Sequence, residues 1–440
     1  MATARQISET GAPPGRPGGR LETPVRLWLM LVASVAVILV AGCTAGIGLA
    51  DRESTASHTA HSTEVLYTDV QNLAYSLADA NATAATSLLV GAETPSGFSA
   101  RFDGDVEQAE LLLSEASQQV AGDAYASAQL TGLGEQIPVF AGLVGQAQAD
   151  NRLGFPVAGA YLRQASDLLT GPMLTETHNV LGEQQKATNA GVGSASAFDP
   201  LLLGVALLAL VVLWQVGRRL ARLTHRRFNT GLVGGLCVVL ALFGWSLVAF
   251  AGASSDGSAA TADFADLVHT QSEISELSLA QSWVALQQID RGEDQGADAQ
   301  HTDAAYAKAA LQDADPGKDT GAAPDSAART TAEAAFGRLD TCAQKAIQLA
   351  SDGQYVAAVA ATVGAPGPNV GQGGCEPLAE KLHADQLNVF DAEQARFDQD
   401  AAALSSDYAG SGALPLGLAF GVLGAGAAAY GINRRLAEFR

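Results

Sequence analysis

The chain has 440 residues and carries 46 acidic against 25 basic side chains, a net charge of −21 at neutral pH. Such an acidic excess disfavours a nucleic-acid-binding protein, which needs a cationic surface to meet the phosphate backbone. Hydrophobic residues make up 48% of the chain and include four long stretches without Asp, Glu, Lys or Arg. This pattern favours a membrane protein.

The first of the four stretches, residues 27–50, follows a tail of residues 1–26 that contains four arginines. A bilayer core about 30 Å thick needs roughly 20 apolar residues of helix, so residues 27–50 predict a transmembrane helix. Val40–Cys43 also resembles a bacterial lipobox, in which a leader is cleaved and the cysteine is acylated. Because the apolar run continues past Cys43, we expect an uncleaved span.

Residues 51–199 form a large polar segment with a helical pattern. Leu66, Val70, Leu73 and Leu77 recur at alternating spacings of four and three, which is typical of a helix that packs in a bundle. Gly- and Pro-rich breaks divide the segment into four helices. The predicted helices are His61–Val90, Phe102–Val120, Tyr125–Ala149 and Pro156–Gln185.

The middle of the chain predicts two further spans, at residues 200–216 and 231–253, joined by a basic loop at residues 217–230. This loop joins the two halves of the chain, so its arginines are candidates for coupling to a cytoplasmic partner. Alternatively, these arginines only set the topology of the chain in the membrane, and this alternative stays open. The candidates are Arg218, Arg219, Arg222, Arg226 and Arg227.

Residues 254–413 repeat the plan of the first polar segment, which indicates a duplicated unit of span, bundle and span. Cys342 and Cys375 lie in this second segment and predict a disulfide, because paired thiols oxidise outside the cytoplasm. The fourth span is predicted at residues 414–432, before a short stub at residues 433–440. The predicted helices of the segment are Ala262–Ile289, Gln300–Gln312, Asp325–Ala350 and Glu376–Tyr408.

The distribution of charge predicts the orientation. The two tails and the basic loop together hold twelve arginines and three acidic residues, whereas the two large segments have a net charge of −30. Short arginine-rich segments stay in the cytoplasm, so we expect both termini inside and both large segments outside. The sequence therefore predicts an all-α membrane protein with four transmembrane helices and two extracytoplasmic antiparallel four-helix bundles in tandem.

Patterns for catalysis or cofactor binding are weak. His58 and His61 have helical spacing but lack further ligands nearby, and Asp103, Asp105 and Glu107 are typical of an acidic first helical turn. The Gly-rich run 364–374 lacks the Gly-Lys-Ser/Thr ending of a phosphate-binding loop. We expect no enzyme, no cofactor and no metal site, and the sequence identifies no ligand-binding residues.

The first large segment resembles the four-helix sensor domains of bacterial chemoreceptors, most clearly at Tyr67–Leu89. With Asn151–Val157 leading into Ala160–Arg163, and with four spans and two outer helical segments, the chain resembles the actinobacterial GlnX sensors. That resemblance implies a membrane sensor that relays the availability of amino acids, chiefly aspartate and glutamate. The implied partners are an extracytoplasmic solute-binding lipoprotein and a cytoplasmic serine/threonine kinase, besides the lipid bilayer.

Two alternatives to this relay stay open at the level of sequence. One is a direct small-molecule sensor with chemoreceptor-like bundles, and the other is an envelope scaffold that does not depend on a ligand. The segments expected in the cytoplasm are short, so we expect the output of any sensor to be a separate protein. An outer charge of −30 disfavours direct capture of an anionic amino acid and suits a docking partner instead.

Overall fold

The computed structural model describes residues 23–59, 64–91, 96–120, 122–197, 200–224, 230–289, 296–317, 327–364, 373–408 and 412–437. Within these ranges the regular structure is helical and contains no strand. Four of the described helices are long and apolar enough to cross a membrane. The all-α class and the presence of four membrane-capable helices are thereby confirmed.

Thirteen α-helices make up most of the described part of the chain. They are α1 Thr23–His58, α2 Glu64–Val90, α3 Ser96–Gln119, α4 Ala124–Arg152, α5 Ala158–Leu168, α6 Leu174–Ser196, α7 Pro200–Thr224, α8 Thr230–Ile289, α9 Gly296–Asp313, α10 Ala327–Ser351, α11 Tyr355–Val363, α12 Glu376–Ser406 and α13 Ala413–Ala437.

The residues fall into two compact units. The apolar unit comprises residues 1–50, 199–248 and 411–440, and the polar unit comprises residues 51–198 and 249–410. Helix α8 runs without a break for 60 residues, so its first part belongs to the apolar unit and the rest to the polar unit. Helix α1 is likewise continuous through Cys43 to His58.

Small residues let the helices of the apolar unit pack closely. A Cβ atom placed on Gly42 would lie 2.7 Å from both the carbonyl oxygen of Gly417 and the Cα of Gly421, so α1 and α13 are in backbone contact there. A Cβ on Gly231 would overlap the Cα of Gly431, so α8 and α13 are also in backbone contact. Close backbone approach of this kind is a common way for helices to associate in lipid, where apolar burial gives no drive.

The polar unit has one main core that both outer segments build. Leu77, Phe140 and Leu162 of the first segment are completely buried in it, together with Leu286 of the second segment. Aromatic contact continues the same packing, since the ring centroids of Tyr67 and Phe264 lie 5.2 Å apart. Two separate four-helix bundles in tandem are therefore not confirmed, because apolar faces of both segments are buried against each other.

Local structure departs from the predicted helices at two places. The stretch predicted as one helix over Pro156–Gln185 is interrupted by a π-helical turn at Leu169–Met173, which contains Pro172. Proline has no N–H to donate and its ring crowds the preceding turn, which favours a local departure from α-helical hydrogen bonding. The second departure is α11, an apolar helix of nine residues that begins two residues after Gly353 and that the sequence pattern does not predict.

Candidate functional site

A narrow cleft in the polar unit leaves about 30 Å³ for the centres of water-sized molecules. This space is far smaller than a typical small-molecule site of roughly 300–1,000 Å³ and suits a water molecule or two. Helices α8, α10 and α12 supply most of the wall, and α2, α9 and α11 contribute one residue each. The wall is mainly apolar and includes Leu277, Ala280, Val284, Leu311, Leu339 and Ala379.

Four polar side chains line the cleft: Thr86, Gln281, Thr362 and Glu376. Thr362 accepts a hydrogen bond of 2.7 Å from the amide of Gln288, which is fully buried beside it. Among the described residues of the lining, Glu376 is the one with a charge, and its side chain is 12% exposed. Burial raises the pKa of Glu376 to about 7, although the guanidinium of Arg101 lowers it.

Glu376 also belongs to a cluster around Arg101, which we call the Arg101 cluster and which comprises Arg101, Asp79, Asp105, Glu376 and Glu380. The guanidinium of Arg101 donates to both carboxylate oxygens of Asp79, at 3.0 and 3.1 Å. A second nitrogen of Arg101 lies 3.6 Å from Glu376 and 3.6 Å from Glu380. One arginine of α3 is thus shared among acids that come from α2 and α12.

Two further titratable groups lie at the cluster. The pKa of Asp105 is raised to about 7, mainly by burial and also by the nearby charge of Asp79. The ring of His383 stacks on that of Tyr75, with its Nε2 3.0 Å from the tyrosine hydroxyl. Burial lowers the pKa of His383, so the neutral ring is favoured.

A second cluster, which we call the Arg329 cluster, comprises Arg329, Glu393, Glu273 and His269 within the second segment. Arg329 donates to Glu393 at 2.9 Å and to the carbonyl oxygen of Pro316 at 2.9 Å, and it lies 3.8 Å from Glu273. The side chains of Glu273 and Glu393 are each 1% exposed. Burial raises the pKa of Glu273 to about 8 despite the neighbouring guanidinium.

The disulfide candidate lies beside the cleft. Cys342 and Cys375 are at disulfide distance, with Cα atoms 5.6 Å apart, which supports the predicted pairing. Cys375 lines the cleft and immediately precedes Glu376, the first residue of α12. The link between α10 and the start of α12 therefore holds the position of the buried acid.

The arginines expected at the cytoplasmic loop are described only in part. Arg218, Arg219 and Arg222 lie in the last turns of α7, where the guanidinium of Arg218 lies 5.2 Å from the ring centroid of Trp214. Arg226 and Arg227 lie outside the described residues. The coupling role of all five stays a prediction.

The other candidates from the sequence are either exposed on helices or lie outside the described residues. Asp103 and Glu107 are exposed on α3, which begins at Ser96, so the acidic group lies beyond the first helical turn. His58 ends α1, whereas His61 and most of the run 364–374 lie outside the described residues. Among the described residues, no group of three or more His, Cys, Asp or Glu side chains is arranged to hold a metal ion.

Sequence reasoning misses most of the cleft and of both clusters. It places Asp105 only in an acidic helix start, and Glu376 only at a helix boundary. Arg101 follows the Gly- and Pro-containing break that precedes α3, and no local pattern pairs it with an acid on α12. A lone arginine in an acidic segment is the one available signal, since such a charge is seldom buried without a partner.

Comparison with known proteins adds one finding. The family model of the actinobacterial sensor domain matches residues 55–192, which cover the end of α1, helices α2–α5 and most of α6. No curated protein and no solved structure matches the chain. The match supports an actinobacterial sensor with a sensing role in its first outer segment.

Proposed function

We propose that this protein is a non-enzymatic, multi-pass membrane sensor of the GlnX type. Its polar unit would face the outside, with both termini and the 217–230 loop in the cytoplasm. It would relay the availability of aspartate or glutamate from a solute-binding lipoprotein to a cytoplasmic serine/threonine kinase. The observation that carries the proposal is the match of residues 55–192 to a sensor domain, in a chain with four membrane-capable helices.

The continuity of α8 supports a signalling role. Its 60 residues include both a membrane-capable stretch and the residues Leu279 and Leu286 of the core that the two segments share. A stiff helix carries a small shift or rotation along its length, whereas a flexible linker would absorb it. The loop 217–230 is short, so a separate kinase would receive the signal in the cytoplasm.

Electrostatics supports an indirect input for an acidic amino acid. The polar segments have a net charge of −30, and the charged group at the described cleft is itself an acid, Glu376. An anionic ligand would meet repulsion there. A lipoprotein that first binds the amino acid and then docks avoids this cost, and the acidic surface would steer a partner of complementary charge.

The test is a pull-down of the tagged full-length protein from native membranes solubilised in detergent, with and without added aspartate or glutamate. We expect a solute-binding lipoprotein to be recovered in an amount that changes with the amino acid. A matched sample with added leucine controls for general effects of amino acids. If no such partner is recovered under any of these conditions, the relay hypothesis is wrong.

A second candidate function, direct sensing of a small molecule, is favoured by the match of residues 55–192 to a sensor domain. Because the two outer segments share one core, this candidate has to be tested on the full-length chain. Isolated segments would expose the apolar faces that they bury against each other.

A further inference from the structure

We propose that the contact of α2 and α3 with α12, which we call the segment interface, responds to pH: it is closed while the Arg101 cluster holds protons and opens as its carboxyl groups ionise. The inference goes beyond the relay of amino acids, because it makes acidity on the side of the polar unit a stimulus in its own right. It requires neither a ligand nor a docking partner.

One face of α2 meets the second segment along the segment interface. Asn72 accepts a hydrogen bond of 3.4 Å from an amide of α8, and the ring of Tyr75 stacks on a histidine of α12. Thr86 lines the narrow cleft together with residues of α8, α10 and α12. Asp79 is seven residues from both Asn72 and Thr86, a spacing that places all three on one helical face. The acid that holds Arg101 therefore lies between two other contacts of the segments.

The Arg101 cluster at this interface has more acids than it can pair. The guanidinium donates to Asp79 at 3.0 and 3.1 Å and lies 3.6 Å from each of Glu376 and Glu380. Asp105 is a further acid near the same pair. These acids come from α2, α3 and α12, so when all of them are ionised their repulsion acts across the interface and not only within one helix.

Two of the acids change their charge near neutral pH. Burial raises the pKa of Glu376 from 4.5 to about 7 and that of Asp105 from 3.8 to about 7. Each of these pKa values is higher in the folded protein than in a solvated carboxyl group. The stabilisation of the closed interface by these protons is therefore full below about pH 4 and is lost as pH rises through about 7.

The other groups of the cluster do not offset this change. Arg101 stays charged, since the neighbouring acids outweigh its burial and raise its pKa. Burial lowers the pKa of His383, which favours the neutral ring, and raises the pKa of Tyr75. The groups that face Glu376 and Asp105 are Asp79, Arg101, Glu380, Tyr75 and His383.

The interface can open locally because part of it is polar. Among the described residues, Oε1 of Gln71, one turn before Tyr75, and Nδ1 of His383 are buried without a hydrogen-bond partner. Both atoms gain hydrogen bonds from water when the interface opens, which offsets part of the cost of opening. The apolar core around Leu77 and Leu286 holds the segments together meanwhile.

The test measures how well a buried cysteine at the interface is protected from N-ethylmaleimide between about pH 5.5 and pH 8. The reporter is Thr86→Cys, at a position that is 3% exposed, in the full-length protein in detergent. The free cysteines are removed by Cys43→Ala and Cys237→Ala. Thr131→Cys, at an exposed position of α4, is the matched control for the general rise of thiol reactivity with pH.

The measured quantity is the labelling rate of Thr86→Cys divided by that of Thr131→Cys. We expect this ratio to rise about tenfold or more over the pH range, because one unit of pKa difference between the closed and the open interface changes their equilibrium tenfold. Ala82→Cys, also at a position 3% exposed and three residues after Asp79, is a second reporter that should show the same rise.

Two variants assign the rise to the cluster. Glu376→Gln and Asp105→Asn each leave a side chain that is neutral at every pH, so each should reduce the rise to about threefold or less, half of the logarithmic change. Glu110→Gln is the control, because Glu110 is an exposed glutamate of α3 outside the Arg101 cluster. We expect Glu110→Gln to retain the full rise.

Two results would overturn the inference: a ratio that stays constant over the pH range, or a rise that is undiminished in both Glu376→Gln and Asp105→Asn. The measurement uses no amino acid and no partner protein. Its outcome is therefore independent of the pull-down, and the relay and the pH response can fail separately.

Discussion

The Arg101 cluster and the Arg329 cluster each place one guanidinium among several carboxylates, but their settings differ. Arg101 is 35% exposed and joins α2 and α3 of the first segment to α12 of the second. Arg329 is 7% exposed and pairs with acids of α8 and α12 within the second segment alone. The first cluster borders a cleft, whereas the second is enclosed.

Because of this difference in exposure, the two clusters should contribute differently to the stability of the protein. An enclosed ion pair is costly to disrupt, because the remaining charge has no access to water. A partly exposed pair beside a cleft can exchange partners with solvent or with a ligand at small cost. We therefore expect substitutions at Arg329 to lower stability far more than substitutions at Arg101.

The largest effect is expected from Arg329→Met. Loss of the guanidinium leaves Glu393 buried without this counter-charge, and removing one partner of a buried pair costs about 3–5 kcal/mol. The measurement is the urea or thermal midpoint of the full-length protein in detergent. The control is Arg396→Met, which removes a 39% exposed arginine 3.9 Å from the same Glu393 and should cost far less.

A somewhat smaller effect is expected when the disulfide is removed by Cys342→Ser with Cys375→Ser. A cross-link between residues 33 apart stabilises by about 3–4 kcal/mol in the chain-entropy account. An unchanged Tm in the double variant would show that the cross-link between the two cysteines adds nothing to stability.

The next smaller effect is a difference between the two clusters in how stability depends on pH. The pKa of Glu273 is raised from 4.5 to about 8, so the folded protein binds a proton more tightly than the unfolded chain does. The stability from this group is full below about pH 4.5 and is lost as pH rises through about 8. Glu376, whose pKa is raised to about 7, loses its contribution over a lower range.

Glu273→Gln should therefore flatten the fall of Tm between about pH 5 and 8, and it should raise Tm at about pH 8. The charged groups that face Glu273 are Arg329, Glu393, Asp315 and Glu333, with His269 one turn away on α8. Their own titration remains in the variant, so the difference between the two curves isolates Glu273. An unchanged slope would mean that Glu273 is not buried as an acid.

The smallest effect on stability is expected from Arg101→Met. The guanidinium is about a third exposed, so solvent screening limits the loss to about 1 kcal/mol. Arg152→Met, on the exposed end of α4, is the control that removes a charge without touching the cluster.

Sequence reasoning succeeds where the signal is local. The four membrane-capable helices follow from apolar length alone, and α2 follows from the spacing of Leu66, Val70, Leu73 and Leu77. The shared core could not be predicted, because periodicity shows that a face is apolar and not which face it meets. Leu279 and Leu286 carry the same helical pattern whether they pack within their own segment or on the first one.

The candidate site depends even more on distant residues. Tyr75 and His383, 308 positions apart, come within 3.0 Å, and Arg163 of α5 pairs with Asp303 of α9. Nothing in the sequence near either partner marks the other. The disulfide is the exception, since two cysteines in one outer segment leave a single pairing to consider.

The shared core also has a consequence for the time course of synthesis. The first segment is complete at about residue 198, but Leu279, Ala285 and Leu286 of its core emerge only after roughly 80–90 further residues. At bacterial rates of about 5–20 residues per second, this delay is on the order of ten seconds. During that interval the nascent first segment exposes an apolar face, which makes it a client for chaperones and a target for proteases until α8 arrives.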